Sequence, residues 1–265
     1  MLSYQHMYHA GGKMDVHKHL TVCVLLSLLT EKERPLFLLD AFAGRGFYDL
    51  KAPEALKTKE AEHGYGLLRN TDAKAIQTLQ TCVDALNKKQ GTSSLYPGSP
   101  YLLSHLMRKQ DELSVCEIHP QELDALKENK HHFPQKVRID TRNAYEALKA
   151  LLPPKQARGL VLIDPSYEIK SEYSDIARMT AKAYKKWNTG VFLIWYPLLK
   201  NGLYETLKTE LQKYIIDPNA LYFHEWVFEN APERALGSGV AIINPPYKTD
   251  AEIDAFFSVL QSVYK

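Results

Sequence analysis

The chain has 265 residues, 45% of them hydrophobic, and a formal net charge of +2 that neither demands nor excludes a nucleic acid partner. This length suits one α/β domain with or without an insertion, and no stretch approaches the roughly 20 apolar residues that a membrane helix needs. The cysteines are isolated and odd in number, which favours reduced thiols in a cytoplasmic protein and argues against a zinc site: Cys23, Cys82 and Cys116.

The first part of the chain predicts a helix, a strand and a helical insertion. Asp15 can cap a helix over residues 16–30. The run Leu36–Asp40 predicts a buried strand that leads into a glycine-rich loop. Residues 51–93 carry two helical patterns and no strand. They predict a small inserted helical subdomain within a single domain that spans residues 1–265.

From residue 97 onward, strand and helix patterns alternate. The turn Pro97–Pro100 contains a helix start at Ser99. Strands are predicted at 113–118, 137–140, 160–163, 191–195, 221–228 and 240–243, with helices at 121–132 and 143–151 and between most of the later strands. This alternation predicts a mostly parallel α/β sheet with helices on both faces. The last two strands lack a clear helix between them, which predicts an antiparallel strand near the C-terminus.

Glycine and polar residues follow the first three strands of the predicted sheet. After Asp40, Gly44 and Gly46 would let a ligand approach the backbone, so this loop is predicted to contact a cofactor. A dinucleotide fingerprint needs a third glycine three positions later, and its absence weakens a nicotinamide assignment. Glu117 ends the next strand, where such sheets hold a ribose, and Asn143 follows the third. Together they predict a nucleoside-bearing cofactor.

The fourth strand ends in Asp164-Pro165-Ser166-Tyr167, an acid, a proline turn and an aromatic ring that could grip the exocyclic amine of a flat base. A second, similar segment is Asn244-Pro245-Pro246-Tyr247. We place the acceptor at Asp164, because the later copy lies too near the C-terminus to leave the strand expected after a catalytic loop.

These residues resemble a known group of enzymes. The loop from Asp40 to Gly46, taken with Asp164–Tyr167, is similar to that of S-adenosylmethionine-dependent adenine-N6 methyltransferases. Four further segments resemble the bacterial ribosomal RNA large-subunit methyltransferase J family over essentially the whole chain. They are Met1–Gly11, Asp15–His19, Tyr96–Pro100 and Leu193–Pro197.

The resemblance implies a Rossmann-like methyltransferase sheet with a small helical subdomain. It implies methylation of N6 of one adenine in 23S ribosomal RNA, with S-adenosylmethionine converted to S-adenosylhomocysteine and no metal. Relatives are also described as proteins for using external DNA, which keeps DNA adenine methylation open. No membrane partner is expected, and the residues make no prediction about oligomeric state.

The resemblance also assigns roles to individual residues. Catalysis would involve Asp164, Pro165 and Tyr167, with the tyrosine ring stacked on the extruded base. The residues implied near the substrate adenine are Tyr4, His6 and Lys18, and those implied in cofactor contact are His19, Phe42, Ser99, Glu117, Asn143 and Asp164.

Four positions depart from the family pattern. Ser166 replaces the second proline of Asp-Pro-Pro-Tyr, and its loss is expected to slow catalysis. Phe42 replaces a loop histidine, and Arg45 replaces an alanine between the glycines. Asn143 stands where an acid is expected, although its amide oxygen can still accept a hydrogen bond.

Three rival functions remain compatible with the residues. Ser166 is compatible with a protein that binds nucleic acid but has lost catalysis. The Gly-x-Gly loop, taken alone, would suit a nicotinamide-dependent oxidoreductase. DNA and RNA present the same adenine edge, so either could be the substrate. The histidines at 6, 9, 17 and 19 could suggest a metal site, but no carboxylate is suitably spaced to complete the set of metal ligands.

Overall fold

The computed structural model describes residues 5–68, 71–229 and 235–265. The strands are β1 Leu36–Asp40, β2 Phe47–Asp49, β3 Leu95–Pro97, β4 Glu112–Cys116, β5 Val137–Asp140, β6 Arg158–Ile163, β7 Val191–Leu199, β8 Leu221–Val227 and β9 Ala235–Ile243. The α-helices are α1 Lys13–Thr30, α2 Pro53–Thr58, α3 Glu60–His63, α4 Lys74–Gln90, α5 Ser99–Leu106, α6 Pro120–Asn129, α7 Ala144–Leu151, α8 Glu172–Lys186, α9 Tyr204–Tyr214 and α10 Thr249–Val263.

Seven of these strands form one sheet, in the order β5-β4-β1-β6-β7-β9-β8. The pairings from β5 to β7 are parallel, and β9 is antiparallel to both of its neighbours. The predicted mostly parallel sheet with an antiparallel strand near the C-terminus is therefore confirmed. Because parallel strands end at a common edge, the residues that follow β1, β4, β5 and β6 meet there.

A hydrophobic core covers each face of this sheet. On one face, α1 packs against β6, β7 and β9 and also contacts α4, α5 and α10. The apolar run Val22–Leu29 belongs to this helix, and most of the helix is buried on all sides. A helical segment that is apolar on nearly all sides, as this run is, is typical of a protein interior. None of the helices in the described part of the chain is long and apolar enough to cross a membrane.

Helix α1 begins earlier than the sequence predicted. It starts at Lys13, with Gly12 as its N-cap, so Asp15 lies in the first turn and does not cap the helix at residue 15. The Asp15 carboxylate reaches back, and its Oδ2 accepts a hydrogen bond from the Gly11 amide at 3.0 Å. It therefore satisfies a free N–H at the helix start from inside the helix.

A short antiparallel pair, β2 and β3, flanks the helical insertion and was missed from the sequence. Three-residue strands are too short to show the alternation that reveals a strand. Helices α2, α3 and α4 fall within residues 51–93, and α4 packs on α1. The extent of the subdomain stays a prediction.

Candidate active site

Two cavities adjoin at the edge where the parallel strands end. The larger has a volume of about 240 Å³ and the smaller about 190 Å³. Four residues line both cavities, and they mark the junction between them: His6, Lys18, Asp164 and Ser166. Asp164 directly follows β6, so the acid predicted to be catalytic lies where two bound molecules could meet.

The loop after β1 forms one wall of the larger cavity. Gly44 and Gly46 have φ angles of +64° and +94°, which glycine adopts readily and other residues rarely do. A Cβ on Gly44 would lie 2.5 Å from the hydroxyl oxygen of Tyr48. The Gly44 amide also donates to Oε2 of Glu117 at 2.8 Å. A side chain at this position would therefore strain the backbone and displace the cavity wall.

Glu117 and Asn143 are held in place by backbone groups. Oε1 of Glu117 accepts from the amides of Ile118 and His119, at 2.8 and 2.7 Å. Asn143 is the N-cap of α7, and its Oδ1 accepts from the Glu146 amide at 2.9 Å. Any cofactor group that donates to Asn143 would use the second lone pair of this oxygen.

A buried ion cluster joins α1 to the end of β6. The ammonium of Lys18 lies 2.8 Å from Oδ1 of Asp15 and 2.6 Å from Oδ2 of Asp164. The side chains of Lys18 and Asp15 are 4% and 2% exposed. Burial by itself would lower the pKa of Lys18, but the two carboxylates outweigh it and raise the pKa above its usual range. Lys18 is therefore a fixed positive charge.

Two histidines border this cluster. His6 Nε2 lies 3.3 Å from Oδ2 of Asp15, and His19 Nε2 lies 3.5 Å from Oδ1. Burial lowers the pKa of His19 to about 3, against the opposing effect of Asp15, so His19 is neutral at physiological pH. Its Nδ1 is 3.0 Å from the Tyr96 hydroxyl. In the part of the chain that the structure describes, no group of three or more His, Cys, Asp or Glu side chains could hold a metal ion.

Asp40 ends β1, just before the loop that carries Gly44, and is fully buried. Its Oδ1 accepts from the Phe42 amide at 3.2 Å, and its Oδ2 has no hydrogen-bond partner among residues 5–68, 71–229 and 235–265. Burial raises the pKa of Asp40 to about 7, although the Ser99 hydroxyl and the Phe42 amide act in the opposite direction. Asp40 lines neither cavity, so it supports the loop from behind and does not contact a molecule bound there.

The structure places the ring of Tyr167 outside both cavities. This residue has a φ of +53°, is 6% exposed and lines neither cavity. Its hydroxyl donates to the Trp195 carbonyl at 2.8 Å, and its ring stacks on Tyr173 with centroids 4.4 Å apart. The ring thus packs against Tyr173 and its hydroxyl bonds the Trp195 carbonyl, away from both cavities.

Most of the predicted site residues come together. Those that line the cavities are His6, Lys18, Phe42, Gly44, Ser99, Glu117, Asn143 and Asp164. Five others line neither cavity, namely His19, Asp40, Gly46, Pro165 and Tyr167. Tyr4 falls outside the described residues.

Asp15 and Trp195 are among the residues at the site to which the sequence assigns no site role. Asp15 lies three residues before Lys18, a spacing that places both on one side of a helix. Trp195 lines the smaller cavity.

The second Asn-Pro-Pro-Tyr segment lies at the opposite edge of the sheet. Because β9 is antiparallel, its end at Asn244 lies beside the start of β7. The Asn244 side-chain amide donates to the Gly190 carbonyl at 3.2 Å, and its backbone N–H donates to the Ala220 carbonyl at 2.8 Å. Tyr247 is 87% exposed. Asn244 is therefore a turn residue remote from the cavity at Asp164.

Comparison with known proteins agrees with this geometry. The family model described as ribosomal RNA large subunit methyltransferase D, RlmJ, matches residues 33–264. Ribosomal RNA large subunit methyltransferase J of Escherichia coli strain K12 is 32% identical over 271 residues, covering 99% of this chain and 94% of the relative. The Haemophilus influenzae protein of the same name is 33% identical, covering 96% and 90%.

A solved structure has the same fold. The crystal structure of a protein from Legionella pneumophila strain Philadelphia 1 superposes with a TM-score of 0.86 at 35% identity, covering 97% of this chain and 94% of that one. The chain therefore belongs to the ribosomal RNA large subunit methyltransferase J family, which confirms the resemblance drawn from its motifs.

Proposed function

We propose that this protein transfers a methyl group from S-adenosylmethionine to N6 of an adenine in 23S ribosomal RNA. The observation that carries the proposal is the position of Asp164, which lines two adjoining cavities at once. One cavity would hold the cofactor and the other the target base. A group at their junction touches the amine at the point where the methyl group arrives.

The larger cavity fits S-adenosylmethionine by the chemistry of its side chains. Glu117 is placed to accept from ribose hydroxyls, and Asn143 lies at the end of the next strand. Acidic groups suit the positive charges of the cofactor, whose sulfonium supplies the methyl group.

Asp164 and the loop after it would prepare the amine for attack. The adenine amine is a poor nucleophile because its lone pair is delocalised into the ring. Asp164 would accept one N–H and the Pro165 carbonyl the other, which favours a pyramidal nitrogen with a directed lone pair. Alignment of the reactants by such contacts can contribute several kcal/mol of barrier lowering. The amine proton would leave to Asp164 or to water.

Lys18 and Asp15 would set the charge around Asp164. A lone buried carboxylate is costly, and the Lys18 ammonium at 2.6 Å compensates for it. Asp15 holds the ammonium from its other side at 2.8 Å, so Lys18 stays on α1 and lines the smaller cavity. Lys18 would therefore hold Asp164 at the junction.

The test is methyl transfer to in-vitro-transcribed 23S ribosomal RNA with radiolabelled S-adenosylmethionine, followed by nucleoside analysis. The expected product is N6-methyladenosine. Asp164→Ala should lower the rate by at least about 100-fold, within the usual range for a proton acceptor, while cofactor binding survives in part. The control is Asn244→Gly, which suits the φ of +56° and should keep full activity.

The same assay separates the alternatives. Transfer to DNA of the same sequence but not to RNA would identify a DNA adenine methyltransferase. RNA binding with no transfer by the unaltered protein would identify a relative that has lost catalysis. Loss of activity in Asn244→Gly, with Asp164→Ala active, would contradict the assignment of the acceptor.

A further inference from the structure

The smaller cavity has an apolar wall beside its charged one. Asp164 and Lys18 lie on the charged part. The apolar part consists of Met14, Trp195, Pro197 and Leu199. A nucleobase needs this combination, because its edges carry polar groups and its faces are apolar. The ring of Tyr167 is buried and does not line this cavity. In the apolar wall, the indole of Trp195 is the large flat surface against which a base could stack.

Trp195 is held by one hydrogen bond to its backbone and one to its indole ring. Its backbone carbonyl accepts from the Tyr167 hydroxyl at 2.8 Å, which ties it to the loop that carries Asp164. Its Nε1 donates to Oγ of Ser238 at 2.8 Å. Ser238 is fully buried on β9, the strand paired with β7. The position of the ring relative to Asp164 is thus fixed by hydrogen bonds.

A buried histidine completes this support. Nδ1 of His17 lies 2.9 Å from Oγ of Ser238, and its Nε2 lies 3.0 Å from Nδ1 of His224. Burial lowers the pKa of His17 well below its usual value, and the nearby His224 lowers it further, so the ring is neutral. Because an indole N–H can only donate, Ser238 must accept from Trp195. The chain of bonds therefore holds the indole in one orientation.

We propose that Trp195 is the surface on which the target adenine stacks, and that Ser238 and His17 are positioning residues that hold its ring. The inference rests on the proposed function, since it assumes that the smaller cavity takes the base. It assigns to Trp195 the contact expected of Tyr167. Stacking on an aromatic side chain is a common way of holding an unpaired base.

A fluorescence titration tests the stacking contact directly. The chain has three tryptophans, and Trp187 and Trp226 are buried, at 4% and 5% exposure. An adenine-containing oligoribonucleotide from 23S ribosomal RNA should quench the emission of the unaltered protein. Trp195→Phe should lose that quenching, because its remaining tryptophans lie in the core. Equal quenching in both proteins would overturn the proposal.

Steady-state kinetics test the functional consequence. Trp195→Leu removes the flat ring and should raise the KM for RNA about tenfold or more, the size expected for one lost base-stacking contact. Its Kd for S-adenosylmethionine should stay within about twofold of the original, since Trp195 does not line the larger cavity. Trp195→Phe keeps a ring and should raise the KM less.

Ser238→Ala tests the positioning role. It should raise the KM for RNA several-fold with unchanged cofactor affinity, and Ser258→Ala is the matched control, since Ser258 bonds only within α10. An unchanged KM in both Trp195→Leu and Ser238→Ala would overturn the inference and leave the proposed function standing. A Trp195→Leu that does not fold leaves Trp195→Phe and Ser238→Ala to decide. Absence of transfer by the unaltered protein counts against the proposed function instead.

Discussion

Lys18 is the residue on which the charge balance of the site depends. It lies between two carboxylates that are 2% and 14% exposed, Asp15 and Asp164. Each acid alone would be a charge in a poorly solvated place. Removing one partner from a buried ion pair costs more than the pair contributes, because it leaves the other charge uncompensated.

Lys18→Met should therefore destabilise the protein by about 3–5 kcal/mol and lower methyl transfer strongly. Urea unfolding measures the stability. The matched control is Lys127→Met, which breaks an exposed ion pair with Asp124 at the same sequence spacing and should cost at most about 1 kcal/mol. Adding Asp15→Asn to Lys18→Met should restore part of the loss. Equal stability of Lys18→Met and Lys127→Met would contradict this account.

At the scale of elements, the loop from β1 to β2 shapes the cofactor cavity through Gly44. Gly91, which ends α4, has nearly the same φ, +65° against +64°, but a Cβ there would meet nothing within 4 Å. Both glycines therefore need a left-handed backbone conformation, but only at Gly44 does the Tyr48 hydroxyl occupy the space of a Cβ. The pair separates conformational strain from damage to the cavity wall.

Gly44→Ala and Gly91→Ala should each lose about 1–2 kcal/mol of stability, the usual cost of a left-handed conformation for alanine. Only Gly44→Ala should also weaken the binding of S-adenosylmethionine, by about tenfold or more, because Tyr48 must move. Calorimetric titration with the cofactor measures this difference. Similar cofactor affinity in the two variants would show that the loop tolerates a side chain.

Elements with a clear hydrophobic period were predictable from the sequence, and contacts between distant segments were not. The strand limits at β1 and β5 agree with the prediction, because a hydrophobic run in β1 and an alternating Val-Arg-Ile segment in β5 each end at an aspartate. The pair β2–β3 escaped prediction, since three residues show no period. The burial of Tyr167 depends on Trp195 and Tyr173, and no local pattern reveals such a contact.

At the scale of the whole molecule, buried carboxylates link the stability of the fold to pH. Asp40 ends the interior strand β1 and is fully buried, and its pKa is raised to about 7 from 3.8. Asp140 ends β5, and its pKa is shifted in the opposite direction. The hydrogen bond from Arg142 holds the pKa of Asp140 below its usual value, even though burial opposes the shift.

Asp40→Asn should therefore stabilise the free protein at pH 8 and have little effect at pH 4. An acid whose pKa is raised on folding stabilises the fold only while it is protonated, so the benefit disappears as pH rises from about 4 to 7. The stability gain of Asp40→Asn should grow across that window to at most about 4 kcal/mol, from a shift of about three pKa units. Asp140→Asn is the control of opposite sign, because it should destabilise at neutral pH and lose this effect as the pH falls below about 4. Urea unfolding of both variants from about pH 2 to 8 measures the slopes, and parallel slopes for Asp40→Asn and the unaltered protein between pH 4 and 7 would contradict the raised pKa of Asp40.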